Sequence, residues 1–288
     1  MRRSLGERVF SVFNYCVLIA LAVVTLYPFL YVVFASVSEP AKLLFTNGIL
    51  LKPAGFSLAA YKKVFSEESL LSGYLNTIFY TVVGTGMNML ATVMAAYVLS
   101  RDRLMLRRFF TLMFLFTMYF SGGMIPRYIL MQNLHLVNTR WAVLLPGLVS
   151  TYNLLIMIRG FYGVPASLEE SARIDGASHW KVLFNIVLPL AKPTAMVMMM
   201  YYAVGHWNAW YNSMLYIRDT DKRPLQLYLR KILIMNNVGA VNGDSVADEI
   251  GMTVQYATII VAVVPILVIY PFIQKHFVSG IMLGAVKG

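Results

Sequence analysis

Residues 12–35 of this chain read VFNYCVLIALAVVTLYPFLYVVFA, without one charged side chain. A hydrocarbon layer about 30 Å thick takes about 20 apolar residues to cross as a helix. Further segments meet that demand at 74–99, 109–131, 141–161, 182–207 and 254–272. The sequence thus predicts an all-α, polytopic membrane protein with six transmembrane helices. The third segment is interrupted by Gly122-Gly123 and Pro126, the fifth carries Pro189 and Pro193, and the sixth carries Pro265 and Pro271. Neighbouring helices and waters can satisfy the carbonyls that prolines free, and the resulting kinks suit helices that line a cavity.

Composition agrees with this class: 59% of residues are hydrophobic and 13% charged, against about 25% charged in soluble domains. Cys16 is the single cysteine and lies in an apolar run, so the chain can form neither an internal disulfide nor a cysteine metal site. The first segment exceeds the roughly 7–15 residues of a cleaved signal core, and no small-residue cleavage site follows it; it reads as a retained span. The net charge of +11 comes from basic residues that flank apolar runs and form no stripe, which points to topology and away from nucleic acid.

Lys and Arg are roughly twice as dense in the loops of one face as in those of the other. The dense face collects Arg2, Arg3, Arg8, Arg101, Arg103, Arg107, Arg108, Arg159, Arg173, Lys181, Lys275 and Lys287. The sequence therefore predicts both termini in the cytoplasm. The longer loops, 36–73 and 211–251, are then external, and the second reads as a short amphipathic helix followed by a flexible loop.

All 13 carboxylates fall in predicted loops or tails, whereas ion-coupled carriers usually keep an ionisable group inside the membrane. The chain shows no G-x-x-x-x-G-K-[ST] phosphate loop, no H-E-x-x-H and no G-x-S-x-G. His135, His179, His206 and His276 are scattered, with no acid nearby in sequence. An enzyme is disfavoured, and the energy for any transport has to come from another subunit.

The cytoplasmic stretch GVPASLEESARIDGAS carries helix punctuation. Ser167 and Glu170 have capping-box spacing, and Glu169 and Glu170 suit the positive end of a helix. Gly176 suits the left-handed position that ends one. A helix is predicted over 168–175, with Glu169 and Arg173 as an i,i+4 pair and Ser178 capping the helix that follows. Leu168, Ala172 and Asp175 share a face. A helix this short needs a surface to dock on. A hairpin with solvated charges is the plainer alternative.

At these residues the chain resembles a known family. Glu170-Ser171-Ala172, Gly176 and Ile186-x-Leu188-Pro189 match the EAA…G…I-x-LP loop of ABC importer permeases, with Ser171 in place of the commoner alanine. MIP at 124–126, LVNTRWAVLLP at 136–146, HWNAWYNSMLYIRD at 206–219, RPLQLYLR at 223–230 and GAVKG at 284–288 extend the match over essentially the whole chain. Together they look like the maltose-type second permease of carbohydrate uptake systems. The C-terminal stretch is most similar to a Gram-positive subgroup that imports complex plant oligosaccharides, including acidic ones.

The resemblance implies a type I ABC importer permease fold. It divides the chain into a cytoplasmic N-terminus (1–11), a first transmembrane helix (12–35), a transmembrane domain (74–275, with its coupling loop at 162–181) and a cytoplasmic tail (276–288). The implied partners are a second homologous permease, two ABC ATPase subunits, an extracellular solute-binding protein, the oligosaccharide and the bilayer. The chain itself would hold no cofactor; ATP and magnesium would bind the ATPase. Leu168, Glu170, Ser171, Ala172, Asp175, Gly176, Leu188 and Pro189 would couple to the ATPase, and Gly284, Ala285, Lys287 and Gly288 would reach it from the tail.

Candidate substrate-path residues are Asn76, Tyr80, Asn153, Trp207, Asn208 and Tyr211. Asn76, Tyr80, Gly84 and Asn88 recur every four residues, as a face for close helix packing also does. The aromatic residues near 207–211 equally suit an interfacial belt. Alternatives to an oligosaccharide are a polyol, a glycerol phosphate or a disaccharide; alternatives to the importer are a secondary carrier, a channel or a membrane scaffold.

Overall fold

The computed structural model of the chain describes residues 5–46, 48–101, 104–242 and 251–268. The major helices are α1 (Leu5–Ser36), α2 (Glu68–Leu99), α3 (Arg107–Tyr119), α4 (Met124–Asn133), α5 (Thr151–Tyr162), α6 (Ala166–Ile174), α7 (His179–Leu190), α8 (Lys192–Trp207), α9 (Tyr211–Tyr216), α10 (Leu225–Asn242) and α11 (Gly251–Val268). Short helices at Pro40–Leu44, Ala59–Ser66 and Trp141–Leu144 lie between them.

The chain divides into two compact units. One comprises Met1–Glu68 and Leu229–Pro265, the other Ser69–Tyr228 and Ile266–Gly288. In the first, α1 leaves its apolar side chains uncovered, from Val9 to Val33. Such a surface belongs in lipid or against another subunit. Among the described residues only the far end of α1 docks: Ala35 packs with Leu43 and Leu50, and Ser36 Oγ lies 2.8 Å from Tyr61 Oη. Tyr31 of α1 meets Tyr256 of α11 edge-to-face, with centroids 5.8 Å apart.

In the second unit, α2 is patterned inside out relative to a soluble helix. Its buried face carries Gly73, Asn76, Thr77, Tyr80, Gly84 and Asn88, while Leu71, Leu75, Ile78 and Val82 are exposed. Polar and small residues turn inward because lipid is as apolar as leucine and offers polar groups nothing. Val93, Ala96, Leu154, Met157, Val182 and Met198 form the main core among α2, α5, α7 and α8.

Three of the six expected spans are single long helices: α1, α2 and α11. The last four residues of the sixth segment, 269–272, lie outside the described residues. The third segment is α3 and α4, bent by 113°, and the fifth is α7 and α8, bent by 88°. Gly123, at φ +85°, makes the first break possible. At the second, Pro193 has no N–H, and its ring crowds the carbonyl four residues back. The fourth segment is not one helix. Pro146 and the left-handed Gly147 (φ +82°) separate Trp141–Leu144 from α5. At 1.5 Å per residue, neither piece crosses alone, and the described residues supply at most five candidate spans by length and composition. The amphipathic helix expected in the 211–251 loop is the 18-residue α10, with Leu225 and Leu229 buried. The flexible stretch expected after it falls mostly on 243–250, outside the described residues.

Candidate functional site

The loop between α5 and α7 folds into α6. Its start differs from the expected capping box. Pro165 takes the cap position with an extended backbone (ψ 128°), and the chain is already helical at Ala166. Ser167 therefore sits inside the first turn and caps nothing. The end is as the sequence predicts. Gly176 adopts φ +78°, its N–H bonds the Arg173 carbonyl at 3.0 Å, and Ala177 N bonds the Ala172 carbonyl at 2.9 Å. This double closure satisfies carbonyls that a helix end leaves open. Ser178 then caps α7, its side chain accepting from Lys181 N.

The two adjacent glutamates of α6 point in different directions. Glu170 is exposed, together with Ser167, Ser171 and Ile174, which recur at three- and four-residue spacing on one face. Ile174 is 86% exposed. That exposure was not visible in the sequence, where an isoleucine between Arg173 and Asp175 carries no signal. Leu168, Asp175 and Gly176 are exposed as well, and Ala172 packs partly against the core. Glu169 turns inward and is 5% exposed; its Oε1 accepts from Arg101 Nη1, just past the end of α2. The expected Glu169–Arg173 pair is thus replaced. An exposed i,i+4 pair contributes only about 0.3–0.5 kcal/mol, less than the charge-assisted bond available inside. Arg173 instead places Nη2 3.4 Å from His179 Nδ1. Leu188 and Pro189 lie away from this face, at the end of α7 beside the 88° bend and beyond a wider π turn over Leu183–Val187.

A second polar region lines α2. Asn76 donates to the carbonyls of Asp221 and Arg223, and its Oδ1 accepts from Arg140 Nη2 at 3.0 Å. Tyr80 Oη donates to the Lys222 carbonyl at 2.9 Å, and Leu225 N donates to Thr77 Oγ1 at 2.9 Å. Asn76 and Tyr80 are buried and form a socket for the chain at 221–225, so the wall they were expected to offer a sugar is covered by that chain. The loop is closed from the other side by Asn138 at φ +65°, whose Oδ1 accepts from Arg218 N and Asp219 N at 3.0 Å each. Lys222 Nζ stands 2.8 Å from Asp219 Oδ2. Hydrogen bonds from Lys222 and then Asn138 hold the Asp219 carboxyl below the ordinary carboxylate range. Burial pushes the Tyr216 phenol up. The motif stretches at 136–146 and 206–230 thus come together as one structure.

Farther along α2, Asn88 Nδ2 donates to the carbonyls of Gly147 and Leu148, at 3.0 and 2.8 Å. Tyr202 Oη accepts from Ser150 N at 3.1 Å and lies 2.7 Å from Thr92 Oγ1. Side chains of α2 and α8 thereby satisfy the backbone freed at the Pro146-Gly147 break. Asn153 is buried in the first turn of α5, beside that break. Trp207 is buried at the end of α8, and its Nε1 finds no acceptor among the described residues. Asn208 is exposed and donates to the Val204 carbonyl, while Tyr211 is 43% exposed, with Oη 2.9 Å from Met124 Sδ. Gly284, Ala285, Lys287 and Gly288 lie outside the described residues.

Comparison with known proteins adds identity to this geometry. Residues 1–283 match the model of the family "Binding-protein-dependent transport system inner membrane component". Protein LplC of Bacillus subtilis (strain 168) is 39% identical over 290 residues, covering 100% of this chain and 98% of that protein. The polygalacturonan/rhamnogalacturonan transport system permease protein YtcP of the same organism is 38% identical, covering 98% of this chain and 99% of that one. A chain in the crystal structure of a bacterial ABC transporter involved in the import of the acidic polysaccharide alginate superposes with a TM-score of 0.87 at 33% identity, over 96% of this chain and 99% of that chain. The fold is the type I ABC permease fold, and the protein is a transport subunit, not an enzyme. The chain belongs to the family of inner-membrane components of binding-protein-dependent transport systems.

Proposed function

We propose that this chain is one of two paired permeases of an ATP-driven importer that moves an acidic oligosaccharide of plant origin across the plasma membrane by alternating access. The carrying observation is α6: a nine-residue helix whose outer face presents Glu170, Ser171 and Ile174 while its inner side is tied to the bundle through Glu169. A helix this short is not stable alone, and an isoleucine left 86% exposed beside a glutamate suits a protein partner. That partner is an ABC ATPase, which binds ATP and magnesium and closes against α6. Both termini and α6 then lie in the cytoplasm, as the basic loops favour, and the 36–73 and 211–251 loops face the extracellular binding protein.

The acidic solute rests on the names of two relatives, one a polygalacturonan/rhamnogalacturonan permease and one an alginate importer. The path runs beside the Pro146-Gly147 break, because irregular backbone at membrane depth is tolerated only inside protein or along a water-filled cavity. Asn153, Trp207, Asn208 and Tyr211 are its candidate lining. The test is reconstitution with the second permease, the ATPase and the binding protein, followed by uptake of labelled oligogalacturonides against neutral oligosaccharides of equal length. ATP-dependent uptake of the acidic series supports the reading. Uptake of the neutral series alone overturns the solute, and uptake without ATP overturns the importer.

A further inference from the structure

Glu169 sits in the helix that the proposed function sets against the ATPase, yet it faces away from any such partner. Its side chain is 6% exposed and that of Arg101 23%. Arg101 is held in turn by the end of α2: Nε donates to the Tyr97 carbonyl at 3.3 Å, and the guanidinium lies 4.4 Å from the Tyr97 ring centroid. Tyr97 Oη is 3.5 Å from His179 Nδ1, the same nitrogen that Arg173 approaches. Five polar side chains, Glu169, Arg173, His179, Tyr97 and Arg101, thus join α6, the start of α7 and the end of α2. A buried ion pair repays its desolvation poorly as a source of stability, but breaking it strands a charge. It fixes a distance more than it lowers an energy.

The far part of the same helix is fastened as firmly. Asn76, Thr77 and Tyr80 hold the carbonyls of residues 221–223 and the N–H of Leu225. Asn76 and Arg101 are separated by 25 residues of nearly continuous helix, about 38 Å at 1.5 Å per residue.

We propose that α2 is the rod that links the outer 216–225 loop to the coupling helix, and that the Arg101–Glu169 pair is its cytoplasmic joint, with Arg101 a positioning residue that acts through Glu169. The proposal rests on α6 being the ATPase-facing helix. A shift of α6 pulls the end of α2, and α2 carries that shift to the loop that faces the binding protein. Binding-protein engagement and nucleotide state are then coupled through one helix.

The experiment uses the assembled transporter in lipid nanodiscs, with Arg101→Glu, Glu169→Arg and the double exchange. ATPase retention is measured first, then ATP hydrolysis with and without the binding protein saturated with a pectin digest. Each single exchange is expected to retain the ATPase while its stimulation by binding protein falls roughly tenfold. The double exchange is expected to restore stimulation to within about threefold. Single exchanges stimulated like the wild type, or a double exchange that assembles without regaining stimulation, overturn the proposal. Should a single exchange fail to assemble, Arg101→Gln with Glu169→Gln, which strands no charge, is read instead: hydrolysis without stimulation supports the joint, and full stimulation overturns it. The docking reading fails by a different signature, undiminished ATPase retention in Ile174→Asp, and takes the joint with it.

Discussion

His206 Nε2 stands 2.7 Å from Oδ1 of Asn88, in the notch that Gly84 leaves on α2. Asn88 spends its Nδ2 on the carbonyls of Gly147 and Leu148, so Oδ1 accepts and Nε2 carries the proton. A Cβ at position 84 would lie 2.5 Å from that nitrogen. Gly84→Val is therefore expected to push α8 off α2 and destabilise the protein by about 1–3 kcal/mol, read as a lowered Tm in detergent. Asn88→Leu acts on the same three segments, so its effect and that of Gly84→Val are expected to be non-additive. A Tm unchanged by Gly84→Val contradicts the notch.

The loop closed by Asn138 offers a separate test. Asn138→Ala removes the two bonds from Oδ1 and leaves a Cβ-bearing residue at φ +65°. Trypsin cleavage after Arg218 or Lys222 is expected to accelerate by roughly tenfold, the gain in local opening for about 1.4 kcal/mol. Asn138→Gly, which keeps the backbone freedom, is expected to fall between the two.

The same loop predicts a pH response. Asp219 titrates below its ordinary value, so the stabilisation it supplies is present above that value and is lost as pH falls through the lowered one. Loop protection, followed by amide hydrogen exchange corrected for intrinsic rates, is expected to hold level from about pH 5 to 8 and to fall only in stronger acid. Asp219→Asn removes that acid limb. A midpoint at or above the usual carboxylate value contradicts the assignment.

These elements show what the sequence made legible. The Gly176 terminus and the Ser178 cap are set by neighbours within a few residues, and both were readable. Ser167 misled because Pro165 supplied an extended cap two residues earlier. The Pro146-Gly147 break was hidden by hydropathy, which runs through it; the side chains that repair it, Asn88 and Tyr202, come from distant helices. Arg101 and Glu169 lie 68 residues apart, and nothing local marks one as the partner of the other. Asn76 and Tyr80 were legible as a polar face of α2, but what covers that face comes from about 140 residues downstream.

Gly176 has no atom within 4 Å of where a Cβ would stand, so substitution there acts through the backbone alone. Gly176→Val is expected to cost about 1–2 kcal/mol and to weaken ATPase retention. Gly176→Asn, which tolerates the left-handed conformation, is expected to retain most of it.

On the proposed solute path, Asn208→Leu and Tyr211→Ala alter exposed side chains near the end of α8 and in α9. Both are expected to assemble normally and to lower oligogalacturonide uptake by roughly tenfold, the effect of losing a bond of about 1.4 kcal/mol. Wild-type uptake by both variants removes them from the path.

The most direct test of α6 as the coupling helix is binding-protein-stimulated ATP hydrolysis by the reconstituted complex carrying Glu170→Lys. Glu170 is exposed in the middle of α6, so membrane insertion is expected to be unchanged while stimulated hydrolysis and uptake fall together by at least about tenfold. Wild-type hydrolysis and uptake in that variant would contradict the account.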